Sequence, residues 1–189
     1  MRSFFHFLRA ALKNPLQVST AFETGRFVAE VFTEAIPPQL DGPVVELGVG
    51  TGAITEALLA VPGVKDEFIG LELNPDMIKF FRERFPDAHI ERDSAENFAK
   101  YLGGRKARAV ISTLPWTLMP NEVVTKILDS VTENLHRDGI FATYVTFHVL
   151  KTPAGIRMKE NLDKKFANVE TKFVASNLPP AKVFVCRLH

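Results

Sequence analysis

The hydrophobic positions first repeat with a helical period and then alternate between short apolar runs and amphipathic segments. Residues 3–14 have the helical spacing, residues 19–36 predict a loop that enters a second helix, and a proline follows each segment. Five runs with strand character come next, and a helical segment follows each; the runs are VVELG, EFIGLEL, HIERD, ARAVISTL and GIFATYVTF. Two last runs, NVETKFVASNL and AKVFVCRL, flank Pro179-Pro180 and predict a hairpin.

This order predicts an α/β fold with a seven-stranded, mostly parallel sheet and an antiparallel C-terminal hairpin, preceded by an N-terminal amphipathic helix. We expect a division into N-terminal helices, residues 1–37, and a sheet domain, residues 38–189. Ligands of such sheets bind beyond the carboxyl ends of the strands. The residues that follow each strand are therefore the candidates for a functional site.

Composition narrows the range of partners. The net charge of +1 provides no positive field for nucleic acid, so no nucleic-acid partner is expected. A single cysteine and five histidines without ligand spacing predict no metal site. No apolar run approaches the roughly 20 residues of a transmembrane helix. These features favour a cytoplasmic, monomeric protein.

A glycine loop, ELGVGTG at residues 46–52, follows the first strand. Glycines adopt backbone conformations closed to other residues and let a ligand approach the main chain. Glu72, near the end of the second strand, is placed to accept the hydroxyls of a ribose. Asp93 follows the third strand. Each carboxylate alone also fits a helix cap, but the three elements in order favour a nucleotide site.

The spacing G-x-G-x-G, with an acidic residue two before the first glycine, resembles motif I of class I S-adenosylmethionine methyltransferases over roughly residues 40 to 150. The resemblance implies a Rossmann-like fold, S-adenosyl-L-methionine as cofactor and S-adenosyl-L-homocysteine as product. It implies Glu46 near the methionine ammonium, Glu72 on the ribose and Asp93 on the adenine amino group. The implied cofactor-binding residues are Glu46, Gly48, Gly50, Thr51, Gly52, Glu72, Leu73, Asp93, Ser94, Ala95 and Ser112.

The segment STLPW, residues 112–116, follows the fourth strand and resembles the acceptor segment of enzymes in this class that methylate amines. In-line displacement needs the nitrogen lone pair to point at the methyl group, so the remaining hydrogens need acceptors. The Ser112 hydroxyl and the carbonyl of Leu114, exposed by the rigid turn at Pro115, are the candidates. Trp116 is expected to wall the site or cover a cationic amine; the alternative is a core tryptophan behind a proline turn.

Two families share a Leu-Pro-aromatic or related element here: ribosomal RNA adenine dimethyltransferases and bacterial phospholipid N-methyltransferases. The Asn14-Pro15 step with the polar loop after it, and NLPPA at residues 177–181, resemble the phospholipid family. The first helix predicts an amphipathic anchor on an anionic membrane surface, although its pattern also fits a helix packed on the protein's own core. Its apolar face carries Phe4, Phe5, Phe7 and Leu8, and its basic face carries Arg9 and Lys13.

The phospholipid resemblance implies stepwise methylation of the phosphatidylethanolamine head group towards phosphatidylcholine, by an enzyme peripheral to the inner membrane surface. Ribosomal RNA adenine N6-methylation and an inactive binding module of the same fold are the alternatives. Glu23 and Tyr144 are candidates for positioning the amine as it loses a proton. Candidates for contact with the substrate and its phosphate are Pro115, Trp116, Arg26, His148, Lys151 and Lys182.

Overall fold

The computed structural model describes residues 15–189, with side chains from residue 25 onward. In this part of the chain there are five α-helices: α1 (Pro15–Ala35), α2 (Thr55–Leu59), α3 (Pro75–Arg84), α4 (Asn121–Asn134) and α5 (Pro153–Lys165). Seven strands accompany them: β1 (Val44–Leu47), β2 (Phe68–Leu71), β3 (Ile90–Glu91), β4 (Ala107–Ser112), β5 (Leu135–Thr146), β6 (Asn168–Val174) and β7 (Ala181–Arg187). The predicted membrane face of residues 4–13 lies outside the described residues.

The seven strands form one sheet in the order β3-β2-β1-β4-β5-β7-β6. Strands β1 to β5 pair in parallel, and β7 pairs antiparallel with both β5 and β6. The strand order reverses direction between β1 and β4, which places a ligand-binding crevice at their carboxyl ends. The predicted Rossmann-like sheet with an antiparallel terminal hairpin is confirmed.

Local sequence chemistry explains where the helices begin. The Asn74 side chain accepts from the Asp76 amide at 3.0 Å, and Pro75 occupies the first turn of α3. Helix α1 covers Pro15–Ala35, so the loop predicted at the start of residues 19–36 is helical instead. The segment predicted as a helix at residues 94–103 is a 3₁₀ helix over Ala95–Tyr101.

Apolar side chains cover both faces of the sheet. Helices α4 and α5 and the 3₁₀ helix Ala95–Tyr101 contribute to one layer, in which Phe141 stacks on Phe166 at 5.5 Å between ring centroids. Helices α1, α2 and α3 contribute to the other layer. Among the described side chains of α1, the buried ones are Val28, Ala29, Val31 and Phe32. These residues share the core of the sheet, and the predicted division at residue 37 stays a prediction.

Two kinds of feature are absent from the described residues. No helix among residues 15–189 is long and apolar enough to cross a membrane. The same residues contain no cluster of histidine, cysteine, aspartate and glutamate side chains that fits a metal ion.

Candidate active site

The glycine loop connects β1 to α2 through three glycines with positive φ: Gly48 at +81°, Gly50 at +56° and Gly52 at +76°. A Cβ on Gly48 would lie 2.9 Å from a methyl carbon of Leu114, and one on Gly52 would lie 2.4 Å from the Phe85 ring. A Cβ on Gly50 would meet nothing closer than 4.0 Å. Two glycines therefore allow close packing within the protein, and Gly50 leaves an open face against which a ligand can lie.

Glu72 is attached to this loop by its carboxylate. Its Oε2 accepts from the Gly50 amide at 2.9 Å, and its Oε1 accepts from the amides of Leu73 and Asn74, both at 2.8 Å. Each carboxylate oxygen has more than one lone pair, so these bonds orient the group without exhausting it. The structure thus holds a fixed acceptor beside the glycine loop, where the sequence predicts contact with a ribose.

Glu46, at the third position of β1, is fully buried. Its Oε2 accepts from the Thr55 hydroxyl at 2.6 Å, and its Oε1 has no hydrogen-bond partner among the described residues. Burial is the largest cause of a pKa of Glu46 raised to about 8; the hydrogen bond from Thr55 lowers this pKa, and the nearby charge of Glu72 raises it. A buried carboxyl oxygen without a partner fits a cationic ligand group such as an ammonium.

Asp93 follows β3 at the same edge of the sheet as Glu72. Its Oδ1 accepts from the Asn97 side chain and the Ser94 amide, both at 2.7 Å. Its Oδ2 accepts from the Tyr101 hydroxyl at 3.0 Å and lies 3.3 Å from the Lys100 amine. The bond from Asn97 is the largest cause of a pKa lowered to about 2. Asp93 is thus a charged, oriented acceptor, and its predicted contact with adenine stays a prediction.

The acceptor loop, residues 112–116, is joined directly to the glycine loop. The Thr113 hydroxyl donates to the Gly48 carbonyl, the Thr113 amide donates to the Leu47 carbonyl at 3.0 Å, and the Leu114 side chain packs on Gly48. The Ser112 side chain is buried, and its hydroxyl accepts from the Leu114 amide at 3.3 Å. The sequence analysis did not predict a role for Thr113 in joining the two loops. Its position between two predicted site residues, Ser112 and Leu114, was the signal that could have indicated one.

Trp116 occupies the core and not the wall of the acceptor site. Its indole N–H donates to the Thr143 hydroxyl at 2.8 Å, and its ring meets Phe141 edge-on at 5.9 Å between centroids. Thr143 in turn donates to the Ser112 carbonyl at 3.0 Å. With only 3% of Trp116 exposed, the expectation of a ring over the substrate is corrected. The side chain instead anchors the start of the acceptor loop through Thr143.

The other predicted substrate residues lie apart from these hydrogen bonds. Tyr144 is half-buried, packs against Phe32 at 6.4 Å between ring centroids, and has a pKa raised by burial. Arg26 is exposed and pairs with Glu30 at 3.4 Å. Exposed residues His148 and Lys151 follow β5, and partly exposed Lys182 lies in β7. The Glu23 side chain lies outside the described side chains. The roles of these residues at a substrate stay predictions.

A family model described as a methyltransferase domain matches residues 44–139, which is 96 of the 189 residues. The chain belongs to this family. The match spans β1 to β4 and therefore the glycine loop, Glu72, Asp93 and the acceptor loop. It confirms the predicted class and, with it, S-adenosyl-L-methionine as the cofactor.

Similar proteins agree with this class. An ornithine lipid N-methyltransferase from Singulisphaera acidiphila is 27% identical over 99% of this chain and 97% of its own length. Among solved structures, the glycopeptide N-methyltransferase MtfA with S-adenosyl-L-homocysteine has a TM-score of 0.70 at 16% identity, covering 87% of this chain and 90% of its own. An rRNA methylase from Streptococcus thermophilus has a TM-score of 0.62 at 17% identity, covering 94% and 99%. The two structures share the fold of this methyltransferase.

The residues of this methyltransferase fit the cofactor. The unpartnered Oε1 of Glu46 suits the ammonium of its methionine part, Glu72 suits the ribose hydroxyls, and Gly50 leaves open backbone. When bound, S-adenosyl-L-methionine supplies a methyl group on a positively charged sulfur. The methyltransferase itself contributes hydrogen-bond acceptors held in place by the protein. It also holds the glycine loop in direct contact with the acceptor loop.

Proposed function

We propose that this methyltransferase transfers methyl groups to the primary amine of a lipid head group at a membrane surface. The observation that carries the proposal is the contact between the acceptor loop and the glycine loop, through Thr113 and Leu114 on Gly48. An amine held by the acceptor loop would therefore lie next to the cofactor. The N-methyltransferase of ornithine lipid, similar over almost the whole of both chains, supports a lipid as the carrier of the amine.

The proposed substrate is phosphatidylethanolamine, methylated stepwise towards phosphatidylcholine. Its amine, like that of an ornithine lipid, loses the lone pair to the new N–C bond in each transfer. After the first and the second transfer the product regains a lone pair by losing a proton to water. The same site thus serves successive steps without a covalent intermediate on the protein. Ornithine lipid is the second candidate, because the similar protein from Singulisphaera acidiphila is an ornithine lipid N-methyltransferase.

Orientation of the amine is the contribution that we assign to the acceptor loop. The Leu114 carbonyl accepts from the Trp116 amide at 2.9 Å and keeps a second lone pair, which is available to an amine hydrogen. The phenol of Tyr144 has an ordinary pKa of 10.0, which burial raises, so it is protonated at neutral pH. Tyr144 is then a hydrogen-bonding group for the amine, and the proton that the ammonium must lose leaves to water before transfer.

Peripheral attachment at the inner membrane surface completes the proposal. The sequence of residues 1–14 supports it, because a helical reading of this segment would place phenylalanines on one face and basic residues on the other. Deleting residues 1–14 should reduce flotation of the protein with anionic liposomes. Undiminished flotation would remove that segment from the proposal.

The deciding experiment incubates the protein with methyl-labelled S-adenosyl-L-methionine and, in parallel, phosphatidylethanolamine liposomes, ornithine lipid liposomes and ribosomal RNA. Label is expected in lipid, and chromatography of the products counts the methyl groups. A Glu72→Gln variant should lose cofactor binding and turnover. Glu67→Gln is the matched control, since Glu67 precedes β2 and pairs with Arg105 away from the glycine loop.

The alternatives give different results in the same assay. Label that enters RNA alone would overturn the lipid proposal in favour of adenine methylation. Cofactor binding without label in any of the three acceptors, at enzyme concentrations equal to those of the cofactor, would favour an inactive binding module.

A further inference from the structure

Three large apolar side chains are exposed together near one end of the sheet, and we name them the rim patch: Phe147, Phe173 and Leu178. Their exposed fractions are 44%, 52% and 68%. The rings of Phe147 and Phe173 meet edge to face at 5.1 Å between centroids. Contiguous exposed apolar surface of this kind marks interaction sites more often than isolated apolar residues do.

The backbone holds the rim patch in place. The Phe147 amide donates to the Pro180 carbonyl at 2.7 Å, which ties the end of β5 to the turn that contains Leu178. Within that turn the Asn177 side chain donates to the Pro179 carbonyl at 2.7 Å. The patch is therefore preorganised, and little conformational entropy would be lost when it is covered.

The rim patch lies at the same end of the sheet as the acceptor loop, which follows the carboxyl end of β4. Phe147 follows directly after β5, which pairs in parallel with β4 at Ser112 and Thr143. Leu178 lies in the turn between β6 and β7, and β7 begins beside the end of β5, with Ala181 opposite Thr146. A surface that covered the rim patch would thus stand next to the acceptor loop.

The two segments of the chain that carry the rim patch are rich in basic residues. Residues 147–159 and 171–182 contain five lysines and arginines and no aspartate or glutamate, whereas the whole chain has a net charge of only +1. Two of the five are paired, Lys159 with Asp163 and Lys172 with Glu34. The other three have no ion pair with a described side chain; they are Lys151, Arg157 and Lys182.

We infer that the rim patch docks on an anionic lipid bilayer, with its apolar side chains between the head groups and the three cations against lipid phosphates. An exposed apolar centre with three cations in the same segments that have no ion pair with a described side chain matches the interface of such a bilayer. The inference rests on the proposed function and deepens it, because a bilayer bound at the rim patch would face the acceptor loop and bring the lipid amines near it. It adds a docking site distinct from residues 1–14.

The first test places an environment-sensitive dye on the rim patch of the full chain. Cys186 is fully buried, so a Leu178→Cys variant offers one accessible thiol among the described residues. A Phe80→Cys variant, at a 42% exposed site on α3, is the control. With vesicles of phosphatidylglycerol and phosphatidylcholine, the dye at 178 should shift its emission to the blue and the dye at 80 should not.

Three results of this test would overturn the inference. One is an unchanged spectrum at 178 while the protein cosediments with the vesicles. Another is an equal shift at both positions. A third is a blue shift that grows with protein concentration without vesicles, because it would identify a second copy of the chain as the occupant.

The second test removes apolar contact with a Phe173→Ser, Leu178→Ser double variant and measures cosedimentation with the same vesicles. Affinity for vesicles should fall by about tenfold or more, since these side chains are half to two-thirds exposed in the free protein. Binding of S-adenosyl-L-methionine should not change, and a Phe80→Ser control should bind vesicles like the wild type. Equal vesicle binding by the double variant and the wild type would refute the docking site.

Failure of the proposed function is distinguishable from failure of this inference. Methylation of the lipid dispersed in detergent tests the chemistry without a bilayer, and vesicle binding tests docking without turnover. A loss of vesicle binding in the double variant supports the docking site even when no lipid is methylated.

Discussion

A Glu46→Gln variant replaces a buried carboxyl group by a neutral amide of nearly the same shape, and it tests the electrostatics of the cofactor site. Burial raises the pKa of Glu46 from 4.5 to about 8. The folded chain therefore keeps this proton to a higher pH than the unfolded chain does. Stability must fall as the pH rises from 4.5 to about 8, and level off above it. The variant has no group that titrates at this position.

The size of the effect follows from the pKa shift. At about 1.4 kcal/mol for each unit of pKa, the wild type loses about 5 kcal/mol of unfolding free energy across this range, relative to the variant. The amide brings donors to the place where Oε1 has no described partner, at a cost of about 1–3 kcal/mol that does not depend on pH. The variant should thus be the more stable protein at pH 8, and its advantage should disappear towards pH 5.

The assay is urea unfolding between pH 5 and 9 without cofactor, followed by the fluorescence of Trp116, the single tryptophan of the chain. Glu67→Gln is the control, because Glu67 is partly exposed and paired with Arg105. Its difference from the wild type should vary by less than about 1 kcal/mol over this range. A constant difference between the wild type and Glu46→Gln at every pH would refute the reasoning, since Glu46 would then titrate alike in both states.

Four other outcomes are expected. Cofactor affinity of the wild type, measured by calorimetry, should rise with pH up to about 8 as Glu46 ionises more readily, and affinity of Glu46→Gln should be weaker and flat. Gly52→Ala should lose about 2 kcal/mol or more in urea unfolding, because its Cβ would overlap a ring, whereas Gly50→Ala should lose about 1 kcal/mol and most of its cofactor affinity. Asp93 stabilises the fold above its ordinary pKa of 3.8 and loses this contribution as the pH falls through about 2, so Asp93→Asn should lack that part of the acid unfolding curve. Thr143→Val should lower kcat with an unchanged cofactor dissociation constant, and Thr143→Ser should restore kcat.

The sequence predicts the order of strands and helices because hydrophobic periodicity and capping residues are local signals. Asn74 and Pro75 mark the start of α3 from neighbouring positions, and the structure places the helix there. The place of Glu72 beside the glycine loop was also predictable. Both follow directly after strands of the sheet, and the carboxyl ends of parallel strands lie at the same end of the sheet. The bond of Glu72 to Gly50, 22 residues earlier in the chain, confirms that the two elements meet.

Contacts that depend on strand register were not predictable. The Trp116 side chain was expected at the substrate, but its partner Thr143 lies 27 residues away on β5. Only the pairing of β4 with β5 brings Thr143 beside Ser112. The same holds for Thr113, whose hydroxyl reaches Gly48 over 65 residues of chain. A proline-aromatic motif by itself does not show on which side of the sheet the ring packs.

The contact between Leu114 and Gly48 limits how the enzyme can evolve. Gly48 has no side chain to give way, and a Cβ at that position would approach the leucine methyl carbon to 2.9 Å. A change of acceptor that required a bulkier residue at position 114 would displace the backbone under the cofactor. We therefore expect natural variation in the accepted amine to arise outside this pair, for example in the exposed turn around His148 and Lys151, where a substitution leaves the methyl donor undisturbed.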